Sequence, residues 1–250
     1  MNFTRIEWAD YTINPQGHGC YGPGGNKADP RPCSYCYNRE RARRKLSKCP
    51  LCNQWTPHWH PEALEIKLNQ AETIRKHRIA KGWPEQHLDI SPRVFVQSMG
   101  DLFHAETPRI QIHAVWETIM RHPEITWLLL TKNPYRYQEF TWPANCWLGT
   151  TITGSTEADK DRADAIYEIY QHLGKTWASI EPLIGPIDIP TPCNWIVIGA
   201  MTGRQKAKHR PELKWIDAVA THAKACGIPL YMKSSLKDIW PGELIQEVPE

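Results

Sequence analysis

No apolar run in this chain approaches the roughly 18 residues that a membrane-spanning helix needs. The longest, Trp127–Leu130 and Trp195–Met201, hold four and seven residues. The opening Met1-Asn2-Phe3-Thr4-Arg5 lacks the apolar stretch of a secretory signal, so a soluble, cytoplasmic protein with no membrane partner is expected. Charge of one sign is also scarce: 30 Lys and Arg stand against 27 Asp and Glu, a net +3. That balance excludes a charge-driven disordered chain and an overall field that seeks polyanions. There is no internal repeat, low-complexity tract or convincing linker, and the 250 residues read as a single domain, 1–250. Trp (12) and Pro (21) are plentiful, which points to many loops and an aromatic-lined interior or cleft.

The chain has eight Cys and no export signal, a combination that argues against a disulfide framework and for metal or redox chemistry. Cys20, Cys33, Cys36, Cys49 and Cys52 crowd into one region, whereas Cys146, Cys193 and Cys226 are scattered through apolar segments. The scattered three are expected to be buried as small hydrophobes.

Beyond this head, β-branched and aromatic runs alternate with amphipathic or Pro-started segments of helical length, the pattern of a mainly parallel α/β sheet. Strands are expected at Arg5–Ile13, Arg93–Ser98, Thr126–Thr131, Cys146–Thr151, Thr176–Ile180, Trp195–Gly199 and Ile228–Met232. Helices are expected at Ser34–Leu46, Pro61–Lys81, Pro108–Arg121, Pro134–Phe140, Ser155–Leu173 and Pro211–Cys226, with Ser155-Thr156-Glu157 as a cap. This count favours a partial or full (β/α) barrel over an open doubly wound sheet. Pro15–Pro61 is too long and too rich in Gly, Pro and Cys for a plain connection and reads as functional.

Cys20 is followed by twelve residues, then Cys33, two residues and Cys36, with Gly17, Gly19, Gly22, Gly24 and Gly25 giving the backbone freedom to wrap a cluster. Three thiolates are informative. A structural zinc takes four closed ligands, whereas a [4Fe–4S] cluster held by three Cys keeps one iron free for a small molecule.

The segment Ile6-Glu7-Trp8-Ala9-Asp10, Asn14-Pro15, Gly19-Cys20 and Cys33-Ser34-Tyr35-Cys36-Tyr37 resembles the opening of a phage-associated radical SAM family, a domain-of-unknown-function family related to the spore photoproduct lyases. Similar blocks continue through Pro57–Glu62, Val94–His104, Leu130–Pro134, Asn145–Gly149, Ser179–Ile187 and Trp195–Gly199, each at the end of an expected strand. That is the rim where α/β proteins carry ligand-binding residues. The resemblance implies a radical-SAM-type barrel with a Cys/Gly-rich N-terminal loop. Cys20, Cys33 and Cys36 would bind a [4Fe–4S] cluster, and S-adenosylmethionine (SAM) would chelate the fourth iron. The reduced cluster would cleave SAM to a 5′-deoxyadenosyl radical, supplied with electrons by a reductase or a flavodoxin-type donor. Around SAM the resemblance places Tyr35, the Ser98-Met99-Gly100-Asp101 segment, Glu181 and Gly199, with Lys132 suited to the SAM carboxylate and Asn14 and His104 as weaker candidates. Two departures stand out. The twelve-residue gap is longer than the family's, and Gly199-Ala200-Met201-Thr202-Gly203 lacks a carboxylate that relatives carry there.

Cys49-Pro50-Leu51-Cys52 with His58 and His60 has the two-residue thiol spacing of zinc knuckles and reads as an auxiliary zinc site before Pro61. A second cluster, a redox pair or plain thiols are its alternatives. Arg39, Arg41, Arg43, Arg44, Lys45 and Lys48 stand against one acid, Glu40, and a second basic set is Arg204, Lys206, Lys208, Arg210 and Lys214. Such patches fit a nucleic-acid substrate whose base is repaired or modified. The competing readings are a peptide or small metabolite in a pocket lined by Trp127, Trp147, Trp177 and Trp195, a non-catalytic metal-stabilised nucleic-acid-binding protein, and a barrel hydrolase with a structural zinc.

Overall fold

The computed structural model describes residues 1–44, 47–154, 158–189 and 192–249, in two compact units, Met1–Thr131 and Lys132–Glu250. Among these residues no helix is long and apolar enough to cross a membrane.

In the first unit β1 (Tyr11–Ile13), β2 (Arg93–Val96) and β3 (Thr126–Thr131) pair in parallel in that order. β2 is buried at every position, as expected of a parallel strand covered on both faces. Helices α1 (Tyr37–Ala42), α2 (Pro50–Asn53), α3 (Ala71–Ala80) and α4 (Arg109–Arg121) complete this unit. α4 buries Ile112, Val115, Thr118 and Ile119, the three- and four-residue steps of one helical face.

In the second unit β4 (Cys146–Thr151), β5 (Thr176–Ile180), β6 (Trp195–Ile198) and β7 (Leu230–Met232) are again parallel neighbours in chain order. α5 (Ala158–Leu173) and α6 (Leu213–Cys226) follow β4 and β6. Ile166 of α5 and Ile216 and Val219 of α6 share a core with Ile180, Ile196, Ile198 and Met232. α6 ends at Gly227, whose φ of +64° is the left-handed cap that glycine adopts without penalty. The α/β class and parallel pairing agree with expectation. Within each unit the strands pair in strict chain order, which is compatible with a partial (β/α) barrel, whereas a doubly wound sheet reverses its order.

Several boundaries differ from the sequence expectation. The first strand shortens to β1 because Ile6–Ala9 forms a turn, with the Ala9 N–H on the Ile6 carbonyl. Pro61–Lys81 is not one helix. A 3₁₀ turn at Pro61–Leu64 is separated from α3 by a stretch in which Asn69 bonds the Tyr11 hydroxyl through both its backbone N–H and its side-chain oxygen. Pro134–Phe140 closes as a 3₁₀ segment, Pro134–Glu139. The helix expected at Ser34–Leu46 runs only from Tyr37 to Ala42, and Lys45, Leu46 and the Ser155-Thr156-Glu157 cap lie outside the described residues.

The four Trp offered as a pocket lining are core instead. Trp127, Trp177 and Trp195 are fully buried and Trp147 is 3% exposed. Trp177 and Trp195 pack with ring centroids 5.3 Å apart and planes tilted by 31°, and the indole N–H groups of Trp127, Trp177 and Trp195 donate to backbone carbonyls. Among the scattered thiols Cys146 and Cys193 are buried as expected, but Cys226, on the last turn of α6, is exposed.

A polar clamp inside the first unit ties α3 to the sheet. The Arg78 guanidinium grips both Asp10 oxygens, at 2.9 and 2.6 Å, and donates to the carbonyls of Leu88, Ile90 and Ser91. Asp10 also accepts the Arg93 N–H. Beside it, Lys81 donates to the carbonyls of Ile6 and Ala9. Burial draws the Lys81 ammonium down to about 8 from its ordinary 10.5. The unfolded chain therefore holds this proton more tightly, and stability should rise with pH from about 8 towards 10.5. Urea titrations between those values should show that rise in the native protein and a flatter profile in Lys81→Met. Equal slopes would contradict the assignment.

Candidate metal centres

The long gap between Cys20 and Cys33 is closed by a pinch. The Arg31 N–H donates to the Tyr21 carbonyl at 2.6 Å, so Cys20 and Cys33 flank the neck of the loop between them. Its far end is a turn in which the Asn26 side-chain oxygen accepts the N–H groups of Ala28 and Asp29, both at 2.8 Å. Gly22 sits at φ +82° where a Cβ would run into the Arg31 carbonyl, so only glycine allows the neck to close this tightly. Cys33 and Cys36 are joined by a turn, with the Cys36 N–H on the Cys33 carbonyl at 3.0 Å. All three thiols and Tyr35 are half-buried.

The segment after β2 abuts this loop. The Gly19 N–H donates to the Met99 carbonyl at 2.9 Å, and Gly19 pairs with Gly100 in a parallel bridge. A Cβ at Gly100 would strike the Gly19 carbonyl. Burial pushes the Cys20 thiol up to about 12, followed by the Asp101 carboxylate, with Cys33 and Cys36 adding to the rise against the lowering N–H of Gly22. Asp101, Cys33 and Cys36 are thus each within electrostatic reach of Cys20. A cationic cluster would reverse the sign of that crowding, since a coordinating thiol is deprotonated outright. Asp101 is buried, and its Oδ1 accepts from the Thr131 hydroxyl at 2.6 Å and the Phe103 N–H at 3.1 Å, so it also organises its own turn. The Ser98 hydroxyl lies between Thr12 and Asn14, and the Ser98 carbonyl accepts from the Asn38 amide at 2.8 Å. His104 reaches the Gly22 carbonyl at 3.0 Å and holds the neck from outside.

Gln97 was not singled out by the sequence reading. At φ +61° it holds a backbone conformation that costs a non-glycine residue about 1–3 kcal/mol. Its buried amide accepts the Gln16 N–H at 3.0 Å and donates to the Gly17 carbonyl at 2.9 Å, stitching the end of β2 to the segment that leads into Cys20. The available signal was a glutamine at the end of the apolar run Val94-Phe95-Val96.

Lys132, Glu181 and Gly199 belong to the second unit. Glu181 forms a half-buried ion pair with Lys233 at 2.6 Å, and a Cβ at Gly199 would press on both side chains. Lys233 is a further residue the sequence reading missed, because only the fold sets it against Glu181. Lys132 is half-buried.

Cys49, Cys52, His58 and His60 come together as the spacing suggests. Their ligand atoms all lie within 4.8 Å of one another, a donor set able to hold a metal ion such as zinc. The Cys49 thiol is drawn down to about 6, first by the Cys52 N–H and then by the two imidazoles. A cleft of about 370 Å³ opens beside this quartet, lined in part by Asn14, His18, Cys49, Cys52, His60 and Glu62.

The basic residues Arg39, Arg41, Arg43 and Arg44 are exposed on and after α1, which starts directly from Cys36. Arg43 pairs with Glu40. In the second set Lys206 pairs with Asp238 and Lys214 with Glu212, and Arg210 donates to the Asp238 carbonyl, so part of that patch is neutralised.

Searches of curated proteins and of solved structures returned no match. A family profile described as a protein of unknown function, DUF5131, matches residues 3–238. The match takes in both candidate metal centres and both units, and the chain belongs to the DUF5131 family.

Proposed function

We propose that the protein is a radical SAM enzyme in which Cys20, Cys33 and Cys36 hold a [4Fe–4S] cluster and the Ser98–Asp101 segment receives SAM beside it. One observation carries this reading: Cys20 lies within electrostatic reach of Cys33, Cys36 and the Asp101 carboxylate, beside the neck of a glycine-shaped loop that is hydrogen-bonded to the segment after β2. A donor set of three thiolates suits a cluster with one iron left for a small molecule. When bound, such a cluster supplies one electron for the reductive cleavage of SAM.

The chain's own residues do the positioning. The Gly19–Gly100 bridge fixes the distance between the cluster loop and the SAM segment. Asp101, held by Thr131 and Phe103, offers a carboxylate that complements the SAM ammonium. The arginines that follow Cys36 on and after α1 are exposed and basic, which suits a nucleic-acid substrate whose phosphates pair with Arg. Buried Trp127, Trp147, Trp177 and Trp195 disfavour the alternative of a small-molecule pocket lined by these rings.

Anaerobic purification followed by dithionite and SAM tests this directly. The expected result is about four irons per chain and formation of 5′-deoxyadenosine. Zinc without iron, and no 5′-deoxyadenosine after iron and sulfide are supplied, would remove the proposal. Retention of DNA at moderate salt, lost as salt rises, would support the substrate class.

A further inference from the structure

We infer that Cys49, Cys52, His58 and His60 bind a single Zn²⁺ in a closed tetrahedral site, and that this ion sets the course of the segment leading to Cys20. The zinc site stands on its own geometry, and only its effect on cluster assembly rests on the radical SAM reading.

Four ligand atoms gathered within 4.8 Å of one another can close around one small cation, although the two imidazole nitrogens stand nearer each other than a tetrahedral edge. Bond lengths of about 2.3 Å to sulfur and 2.0–2.1 Å to nitrogen give tetrahedral edges of roughly 3.3–3.8 Å. The sulfur-to-nitrogen edges are 3.1 Å for Cys49 with His58, 3.7 Å for Cys52 with His58 and 3.6 Å for Cys52 with His60. His58 and His60 approach through their Nε2 atoms at 2.7 Å. Both rings have their other nitrogen committed. His58 Nδ1–H donates to the Thr56 carbonyl at 2.6 Å, and His60 Nδ1–H donates to the Glu62 carboxylate. With Nδ1 protonated in each ring, both Nε2 atoms present lone pairs to the same point as the two sulfurs. Carbonyl and carboxylate partners of this kind orient metal-bound imidazoles. Two sulfurs and two nitrogens with no open position describe a structural zinc rather than a catalytic one.

The ligand loop is also half of a clamp. The His58 N–H donates to the Gln16 carbonyl at 3.3 Å and the His60 N–H to the Pro15 carbonyl at 2.6 Å. Gly17, at φ +59°, leaves no room for a Cβ, which would lie 2.6 Å from the His58 ring and 2.9 Å from the His60 ring. Gly19 is pressed in the same way against Pro57. On the other side, Gln97 and Met99 bind Gly17 and Gly19. The residues Pro15–Gly19 therefore run between the metal loop and the end of β2, and Cys20 is the next residue. α2, capped by Cys49, is only four residues long and is braced by the Ser47–Asn53 pair and the Cys49 N–H on the Ser47 hydroxyl, and the ion would add the point that joins this turn to His58 and His60.

The experiment is metal analysis of the full chain, purified without oxygen from medium containing both zinc and iron, for the native protein, Cys52→Ser and Glu62→Gln. The expected native content is one zinc per chain, still present in Cys33→Ala. Cys52→Ser should lose the zinc and lower iron and 5′-deoxyadenosine formation together, by about tenfold. Glu62→Gln touches only the outer nitrogen of His60 and should keep the fold while weakening zinc roughly 10–100-fold in competition with a chromophoric chelator. If Cys52→Ser does not fold, Glu62→Gln with graded chelator and Zn²⁺ re-addition reads the same dependence. Native protein free of zinc, or iron bound at Cys49 and Cys52 instead, overturns the site. Zinc lost with iron loading unchanged overturns the brace. Zinc present with no iron after reconstitution overturns the radical SAM reading and the brace with it, while the zinc site stands.

Discussion

Cys33→Ala is expected to give a folded chain that retains zinc but binds little iron and sulfide and forms no measurable 5′-deoxyadenosine. A cluster held by three thiolates has no spare ligand, and Cys33 stands at the neck where the Tyr21–Arg31 contact brings both ends of the loop together. The side chain is half-buried in a loop rather than in the core, so its truncation should cost the fold little. On the radical SAM proposal, SAM cleavage should fall by at least about a hundredfold, since the electron would come only from the cluster. Iron and sulfide content with the visible absorption of the anaerobic protein, read beside chromatography of the reaction, decides the matter. A full iron load in this variant would sink the ligand assignment.

Arg78→Ala should produce the largest loss of stability outside the metal centres, about 3–5 kcal/mol. Arg78 is 1% exposed and Asp10 fully buried, so truncation leaves an uncompensated carboxylate in the interior and strips the carbonyls of Leu88, Ile90 and Ser91 of a donor. Against a typical total of about 5–15 kcal/mol this can unfold the first unit at ordinary temperature. Urea denaturation followed by Trp fluorescence should show the midpoint moving down, or no folded baseline at all. A shift worth less than about 1 kcal/mol would mean that the clamp is solvated or dispensable.

The strands were legible wherever the chain carries a continuous β-branched and aromatic run. Cys146–Thr151 and Thr176–Ile180 have the same bounds in sequence and structure because both faces of each strand are buried and every position must be apolar or small. Helix ends were less legible. Residues 65–70 have helical composition, yet Tyr11, from far along the chain, takes Asn69 out of the helix. The metal quartet could be read from thiol and imidazole spacing, but the closeness of its loop to Gly17 and Gly19 could not.

By itself the sequence determined that this is an α/β chain of parallel strands and that Cys49, Cys52, His58 and His60 stand at metal-ligand spacing, because periodicity and spacing are local properties. Only the tertiary structure decided which groups face one another: Asp10 with Arg78, Glu181 with Lys233, and Gln97 with Gly17. The physical reason is that these pairings depend on strand register and on backbone angles such as the positive φ of Gln97 and Gly22, which packing imposes and no local pattern records.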